Sequence, residues 1–443
     1  MSLLILNGSI VNEGRIKPMD LYIKNGRIER IDPDLSHMSV QNTIDATGMK
    51  ILPGLIDDQV HFREPGMTQK ANIYTESRAA VAGGITTFME MPNTNPQSTT
   101  IEKLENKFSI ASKNSLANYS FYLGATVDNL DQIKKLNPKT ACGIKIFMGS
   151  STGNMLVDAP DVLEQIYRNA PSIIATHCED TPTILVNEFK YKERYGENIP
   201  FTRHPMIRSE EACYKSSSMA VELAKKTGAQ LHILHITTKK ELELFTSSSL
   251  EGKQITAEAC VHHLYLNDNH YKDKGALIKC NPSVKTEMDQ QALISAVLDN
   301  QIDIIATDHA PHLWEEKQNT YFYAPSGLPL IQHSLLMLLE FYHKQIFDLA
   351  LIAQKTSHAV ADRFKIIDRG YIREGYWADL VIVDCRKPTI INKNDILYKC
   401  GWSPFEGETF RSSIDTTIVS GEICYKNGKI CSDQVGKRIG INR

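Results

Sequence analysis

Residues 52–66 read LPGLIDDQVHFREPG. Leu55 to Phe62 has the character of a buried strand that ends in polar groups able to hold a metal. Side chains at i, i+2 and i+4 of a strand share one face, so Asp57, Gln59 and His61 are expected to point the same way. A single histidine on a core strand is more often a packing residue than a ligand. The rest of the chain therefore has to supply partners for His61.

Strands and helices alternate from about residue 54 to residue 362. Strands are expected at Thr86–Glu90, Tyr119–Leu123, Gly143–Met148, Ile173–His177, Leu231–Ile236, Gln254–Ala259, Ala276–Cys280 and Ile302–Thr307. Helices are expected at Asn72–Ala82, Ile101–Ser112, Pro160–Asn169, Ala212–Lys226, Lys239–Ser247 and Glu287–Leu298, followed by two apolar ones at Leu330–His343 and Phe347–Phe364. Repeated βα units imply a parallel sheet, and about eight of them fit a (β/α)8 barrel. A doubly wound open sheet would carry G-x-G-x-x-G after a strand, and the sequence has none there.

Both chain ends are β-rich. Leu3–Asn7, Ser9–Val11, Asp20–Ile23 and Arg27–Ile31 read as short strands, with hairpin turns at Asn7-Gly8 and Asn25-Gly26. Asp379–Asp384, Thr416–Val419, Glu422–Lys426 and Lys429–Cys431 echo them at the C-terminus. Chain ends often lie close together. The expected organisation is a small β-sandwich from 1–53 plus 365–443 around a barrel from 54–364.

The chain has 443 residues and a formal net charge of −3, with both signs interspersed. No basic stripe suggests a nucleic-acid surface, and no apolar run approaches the ~18 residues of a membrane span. No signal peptide is apparent. Nine cysteines without C-x-x-C spacing read as reduced thiols, which points to a cytoplasmic protein. Asn118-Tyr-Ser fits a glycosylation sequon by chance.

Barrel active sites lie at the C-terminal ends of the strands. The groups there are His61, Lys145, His177, His235 and Asp308. Imidazole and carboxylate suit zinc and its neighbours. Any one of these residues alone would more often be structural, but five at strand ends favour a site. Lys145 sits in GIKIFM, where burial costs a charged amine and lowers its pKa. His232 and His235 are expected on opposite faces of their strand, with His235 nearer its end and His232 in the core.

These segments, with Arg63-Glu-Pro-Gly66, Met91-Pro-Asn-Thr94, Lys279-Cys-Asn-Pro282 and Ala306-Thr-Asp-His-Ala-Pro-His312, resemble the dihydroorotases of the amidohydrolase superfamily, of the carboxylated-lysine kind. The resemblance spans nearly the whole chain, and its one departure is Gln59 in place of the first histidine of His-x-His. It implies that Lys145 is carboxylated by CO2 and that its carbamate bridges two zinc ions. His61, His177, His235 and Asp308 would be the other ligands, with Gln59 a weak or absent one. It further implies that Asp308 shuttles a proton, that Arg63, Asn93 and His312 hold a substrate carboxylate, and that Asn281 reads the ring amide. The 325–329 loop would touch the ring through its backbone, and His262-His263-Leu264 would be structural.

The implied reaction is the reversible hydrolysis of dihydroorotate to N-carbamoyl-aspartate by a homodimer. Two other readings stand beside it: another cyclic-amide hydrolase, such as an allantoinase or dihydropyrimidinase, and a silent homologue serving as a partner subunit. Gly149-Ser-Ser-Thr-Gly153 formally fits a G-x-S-x-G nucleophile elbow. No helix is expected directly after its serine, and a mobile loop over the substrate is the better reading.

Overall fold

The computed structural model describes residues 2–149 and 155–443. The expected 149–155 loop therefore falls almost wholly outside the described residues. Eight parallel strands run in sequence order: β1 Leu55–Val60, β2 Ile85–Glu90, β3 Asn118–Gly124, β4 Gly143–Phe147, β5 Ile174–His177, β6 Leu231–Ile233, β7 Ile255–Cys260 and β8 Ile304–Ala306. A parallel bridge from Val60 to His309 and a hydrogen bond from His61 N to His309 O (2.8 Å) bring the last strand back to the first. The barrel is thus nearly closed. Every residue of β1, β2, β3 and β4 is buried, as expected of strands covered on both faces.

Helices pack outside the strands, and local chemistry sets their ends. Helix Ile73–Ala82 begins with a capping box, in which Asn72 accepts from Thr75 N, and it ends at Gly83. Helix Pro160–Asn169 starts with proline, as favoured in a first turn. The 15-residue helix Thr181–Tyr195, capped by Asp180, was not expected from the sequence. Its polar, Lys- and Glu-rich face hid the pattern. Ala276–Cys280 is not a strand but a short 3-10 turn, Gly275–Ile278. Lys239–Ser247 shrinks to a 3-10 turn, Lys240–Leu244.

The chain ends form two mixed sheets. One contains Arg27–Asp32, Asp20–Lys24, Ser2–Leu6 and Asn42–Asp45. The other takes Arg15–Pro18, Ser9–Asn12 and Lys50–Pro53 from the N-terminal side, and Leu380–Asp384, Ser413–Val419, Glu422–Lys426 and Lys429–Ile430 from the C-terminal side. Leu3, Ile5, Leu21 and Ile23 of the first sheet meet Ile51, Leu380, Ile382 and Ile418 of the second in one apolar layer. Asn25-Gly26 turns a hairpin with φ of 53° and 81°, the pair of positive values such turns need. Asn7-Gly8 does not make a hairpin, because Ser2–Leu6 and Ser9–Asn12 belong to different sheets. Among the described residues no helix is long and apolar enough to cross a membrane.

Candidate active site

The strand ends converge on one cavity. Gln59, His61, Arg63, Asn93, Lys145, Phe147, His177, His235, Asn281, Asp308, Ala310, Ser326 and Gly327 line it. All the site residues expected from the sequence are among them except His312, which lies behind Arg63.

β1 delivers its residues in an unexpected way. A register shift between Asp57 and Val60 breaks the alternation. Asp57 turns outward, where its carboxylate accepts from Thr307 N (3.2 Å) and Thr307 Oγ1 (2.5 Å). Gln59 and His61 face the cavity, so Asp57 does not share their face. His235 is likewise not opposite His232. β6 ends at Ile233, and His235 takes φ = 41°, a left-handed backbone that swings its ring inward. Asp308 (φ = 48°) and Arg63 (φ = 67°) are held in the same region. Such conformations in non-glycine residues persist only where surroundings enforce them, and they gather at functional sites.

The imidazoles are posed as ligands. His177 donates from Nε2 to Glu179 Oε2 (3.0 Å), which leaves a lone pair on Nδ1. That Nδ1 is 3.0 Å from His235 Nε2. Among the described residues His235 Nδ1 has no hydrogen-bond partner. His61 donates from Nδ1 to Asn93 Oδ1 (2.9 Å), and its free Nε2 points at Asp308 Oδ1 (3.1 Å). The His235 ring can donate from Nε2 to His177 Nδ1, or carry its proton on the unpartnered Nδ1 and leave both facing lone pairs to a cation; the His61 lone pair against the Asp308 carboxylate is likewise relieved by one. Burial lowers the pKa of His61 and His177 and drives that of His235 well down, so the rings are neutral and can ligate. The donor set fits divalent metal.

Lys145 is fully enclosed on β4, with Nζ 4.6 Å from the centroid of the Phe147 ring. Burial pushes its pKa down to about 8. Asp308 is buried too. Burial alone would raise its pKa, but contact with the His61 ring and the nearby Lys145 charge hold it below the ordinary value. Gln59 donates from Nε2 to Asp308 Oδ1 (3.2 Å), and its Oε1 lies 3.7 Å from Cys260 Sγ. Its amide therefore anchors Asp308.

Further out, Arg63 donates from Nε to Pro311 O (3.1 Å) and has an Nη2 3.1 Å from His312 Nε2. Asn281 donates to Ser326 Oγ (3.1 Å) and Cys280 O (3.0 Å), and accepts from Arg208 Nη2 (3.1 Å). Asn93 is committed to His61. Glu179 and Arg208 were not singled out from the sequence. Arg208 donates to Glu179 Oε2 at 2.6 Å, and Arg208 and His177 hold that buried carboxyl down to about 2 against desolvation. His177-x-Glu179 in the sequence was the available signal, because metal-bound histidines usually lean on a carboxylate.

Residues 51–424 match the amidohydrolase family. This chain is a member of that family. An allantoinase of Desulfitobacterium hafniense is 31% identical, covering 99% of this chain and 98% of its own length. A dihydroorotase of Methanosarcina mazei is 33% identical over 91% of this chain and 90% of its own. The structure of an L-hydantoinase (dihydropyrimidinase) from Arthrobacter aurescens superposes with a TM-score of 0.94 at 24% identity, covering 99% of each chain, and speaks for the fold. Within the amidohydrolases the chain falls in the group of cyclic amide hydrolases, with allantoinases, dihydroorotases and hydantoinases.

Proposed function

We propose that this amidohydrolase is a dihydroorotase, interconverting dihydroorotate and N-carbamoyl-aspartate. The observation that carries the reading is Arg63. It lines the cavity at 5% exposure, and among the described residues no carboxylate pairs with it. Burial lowers its pKa to about 10, so it stays charged at neutral pH. A buried cation without an acidic partner is costly. An exocyclic carboxylate on the substrate would complete it, through the paired hydrogen bonds that guanidinium offers. His312, against Arg63, would steady that pair. Asn93 belongs to this subsite by resemblance, and its hydrogen bond to His61 gives it a second task.

His61, His177, His235, Asp308 and Lys145, the last as its CO2-derived carbamate, would hold zinc, with Gln59 a weak ligand or none. When bound, the metal lowers the pKa of water and polarises the carbonyl under attack. Asp308 accepts the proton of the attacking water and passes it to the leaving ring nitrogen, a base that becomes an acid. Gln59 keeps one Asp308 oxygen oriented by its hydrogen bond. Asn281 and Ser326-Gly327 line the cavity, and on this reading Asn281 and that backbone meet the ring amide. A homodimer is part of the same reading and is checked by sedimentation.

The name allantoinase is carried by relatives that cover 99% of the chain, so the test includes that substrate. Turnover of dihydroorotate, allantoin and dihydrouracil is measured with zinc and bicarbonate present. Dihydroorotate alone is expected to react. Lys145→Ala and Asp308→Asn are expected to be inactive. Arg63→Met should lose at least roughly 100-fold in kcat/KM, as for one charge-assisted pair. Metal counting on wild type and Gln59→His shows whether the glutamine costs an ion. Allantoin turnover without dihydroorotate turnover refutes the assignment.

A further inference from the structure

One layer beneath the cavity, Asp58 on β1, His232 on β6 and Glu258 on β7 meet inside the barrel. All three side chains are 0% exposed. They offer one imidazole nitrogen and two carboxylate oxygens, with ligand atoms all within 4.8 Å of one another. Among the described residues, neither Asp58 oxygen has a hydrogen-bond partner, and neither do His232 Nε2 and Glu258 Oε2. His232 Nε2 is 3.1 Å from Asp58 Oδ2 and 3.6 Å from Glu258 Oε2, without the alignment of a hydrogen bond. Four orphaned polar atoms facing one point inside a folded barrel demand a counterpart.

The tautomer sharpens the demand. Thr256 Oγ1 donates to Leu231 O (3.4 Å) and accepts from His232 Nδ1 (2.8 Å). Nδ1 therefore carries a proton. With no ion between them, desolvation is outweighed by Asp58 and Glu258, which push the His232 pKa up to about 9, so Nε2 carries a proton toward the carboxylates as well; a dication would displace that Nε2 proton and take its lone pair. Ligand atoms set tetrahedrally at the ~2.0–2.1 Å of zinc–nitrogen and zinc–oxygen bonds lie about 3.4 Å apart. The two observed separations bracket that value. A dication with two carboxylates and a neutral imidazole is also charge-neutral.

We propose that Asp58, His232 and Glu258 form a second ion site that binds zinc or a similar divalent cation, separate from the catalytic ligands above it. Its purpose follows from its attachments. Glu258 Oε1 accepts from His235 N (3.0 Å), and the Cys260 thiol lies between it (3.5 Å) and Gln59 Oε1 (3.7 Å), able to donate to one or the other. Asp58 adjoins Gln59 in the chain. An ion here ties β1, β6 and β7 together under the residues that pose His235 and Asp308.

Crystals of the wild-type protein soaked in zinc chloride, with anomalous data collected either side of the zinc edge, give the direct test. A peak is expected between the three side chains, in addition to any peak at Lys145. Zinc counting should find one equivalent fewer in Asp58→Asn and in Glu258→Gln than in wild type. The same deficit should appear when each is made in a Lys145→Ala background, which separates this site from the catalytic one and from dihydroorotate turnover. No anomalous peak at saturating zinc, with a histidine resonance of His232 showing both nitrogens protonated at neutral pH, would overturn the proposal in favour of a bare ion triad. An adventitious surface ion would leave the Asp58→Asn count unchanged, which also refutes it.

Discussion

His312 reaches the cavity through Arg63 and through the Ser326 carbonyl, 3.0 Å from its Nε2, and two charged residues hold it from behind. Lys70 Nζ lies 3.1 Å from His312 Nδ1 and 2.7 Å from Glu316 Oε1. Glu316 Oε2 stands 3.7 Å from the same ring nitrogen. The His312 contact, and above all the much shorter one to Lys70, holds the Glu316 carboxyl down to about 2. The ordinary value in an unfolded chain is ~4.3. A carboxyl depressed by folding stabilises the fold above its unfolded pKa, and that contribution fades as pH falls toward about 2. Glu316→Gln is therefore expected to be less stable than wild type at pH 6–7, with the gap narrowing steadily below pH 4.5. Urea unfolding at several pH values checks this. A constant gap across the range would mean that Glu316 acts by packing alone. At a third exposure its effect is small. None of this network was legible in the sequence. His312 was found by its place in a motif, whereas Lys70 and Glu316 reach it from a loop and a short helix whose mutual distance no pattern encodes.

At the scale of single elements, β1 shows what alternation can and cannot tell. Its hydrophobic run and polar end were plain in the sequence, and so was the cavity they face. The register shift that sends Asp57 outward was not, because a bulge leaves no mark in a short, uniformly buried strand. The same limit explains His235, whose left-handed backbone depends on Glu258 holding its amide. Ala276–Cys280 read as a strand because four to six apolar residues cannot separate a strand from a buried turn by periodicity. Asp57 now has a checkable task. It is buried, and desolvation raises its pKa well above normal even though Thr307 hydrogen-bonds it. Thr307 Oγ1 also accepts from His309 N (3.0 Å), so one hydroxyl ties β1 to the segment carrying Asp308. Thr307→Val is expected to cost about 1–3 kcal/mol by leaving a buried carboxyl short of a donor. Chemical denaturation measures it. Because the tie sits next to Asp308, kcat should fall while KM for dihydroorotate changes little.

Over the whole molecule, the question is how the β-sandwich and the barrel hold each other. The eightfold rhythm and the β-rich ends were both legible, since each rests on local pattern. Their joint was not, because it is built from residues far apart in the chain. We propose that the division at 53/54 and 364/365 marks two layers of one cooperative body. Val11, Leu52, Val381 and Val419 from the sandwich lie in the same apolar cluster as Phe88, Ile144 and Leu335 of the barrel. Asp379 is the polar centre of the joint. It accepts from Asn118 Nδ2 (3.1 Å) on β3 and from Ser420 N (2.7 Å), and it pairs with Arg369. Asn118, fully buried, also accepts from Ser420 Oγ and Lys437 N at 3.1 Å, so its sequon offers no side chain for glycosylation. Removing the carboxylate strands a buried guanidinium and a buried amide at once. Asp379→Ala is expected to lose about 3–5 kcal/mol, with the whole chain still unfolding in a single transition. A double variant, Asp379→Ala with Arg369→Met, should recover part of that loss, because the stranded charge is gone. Two separated transitions in guanidinium would instead show that the sandwich melts off an intact barrel, and Asp379 would then be the hinge between two independent bodies.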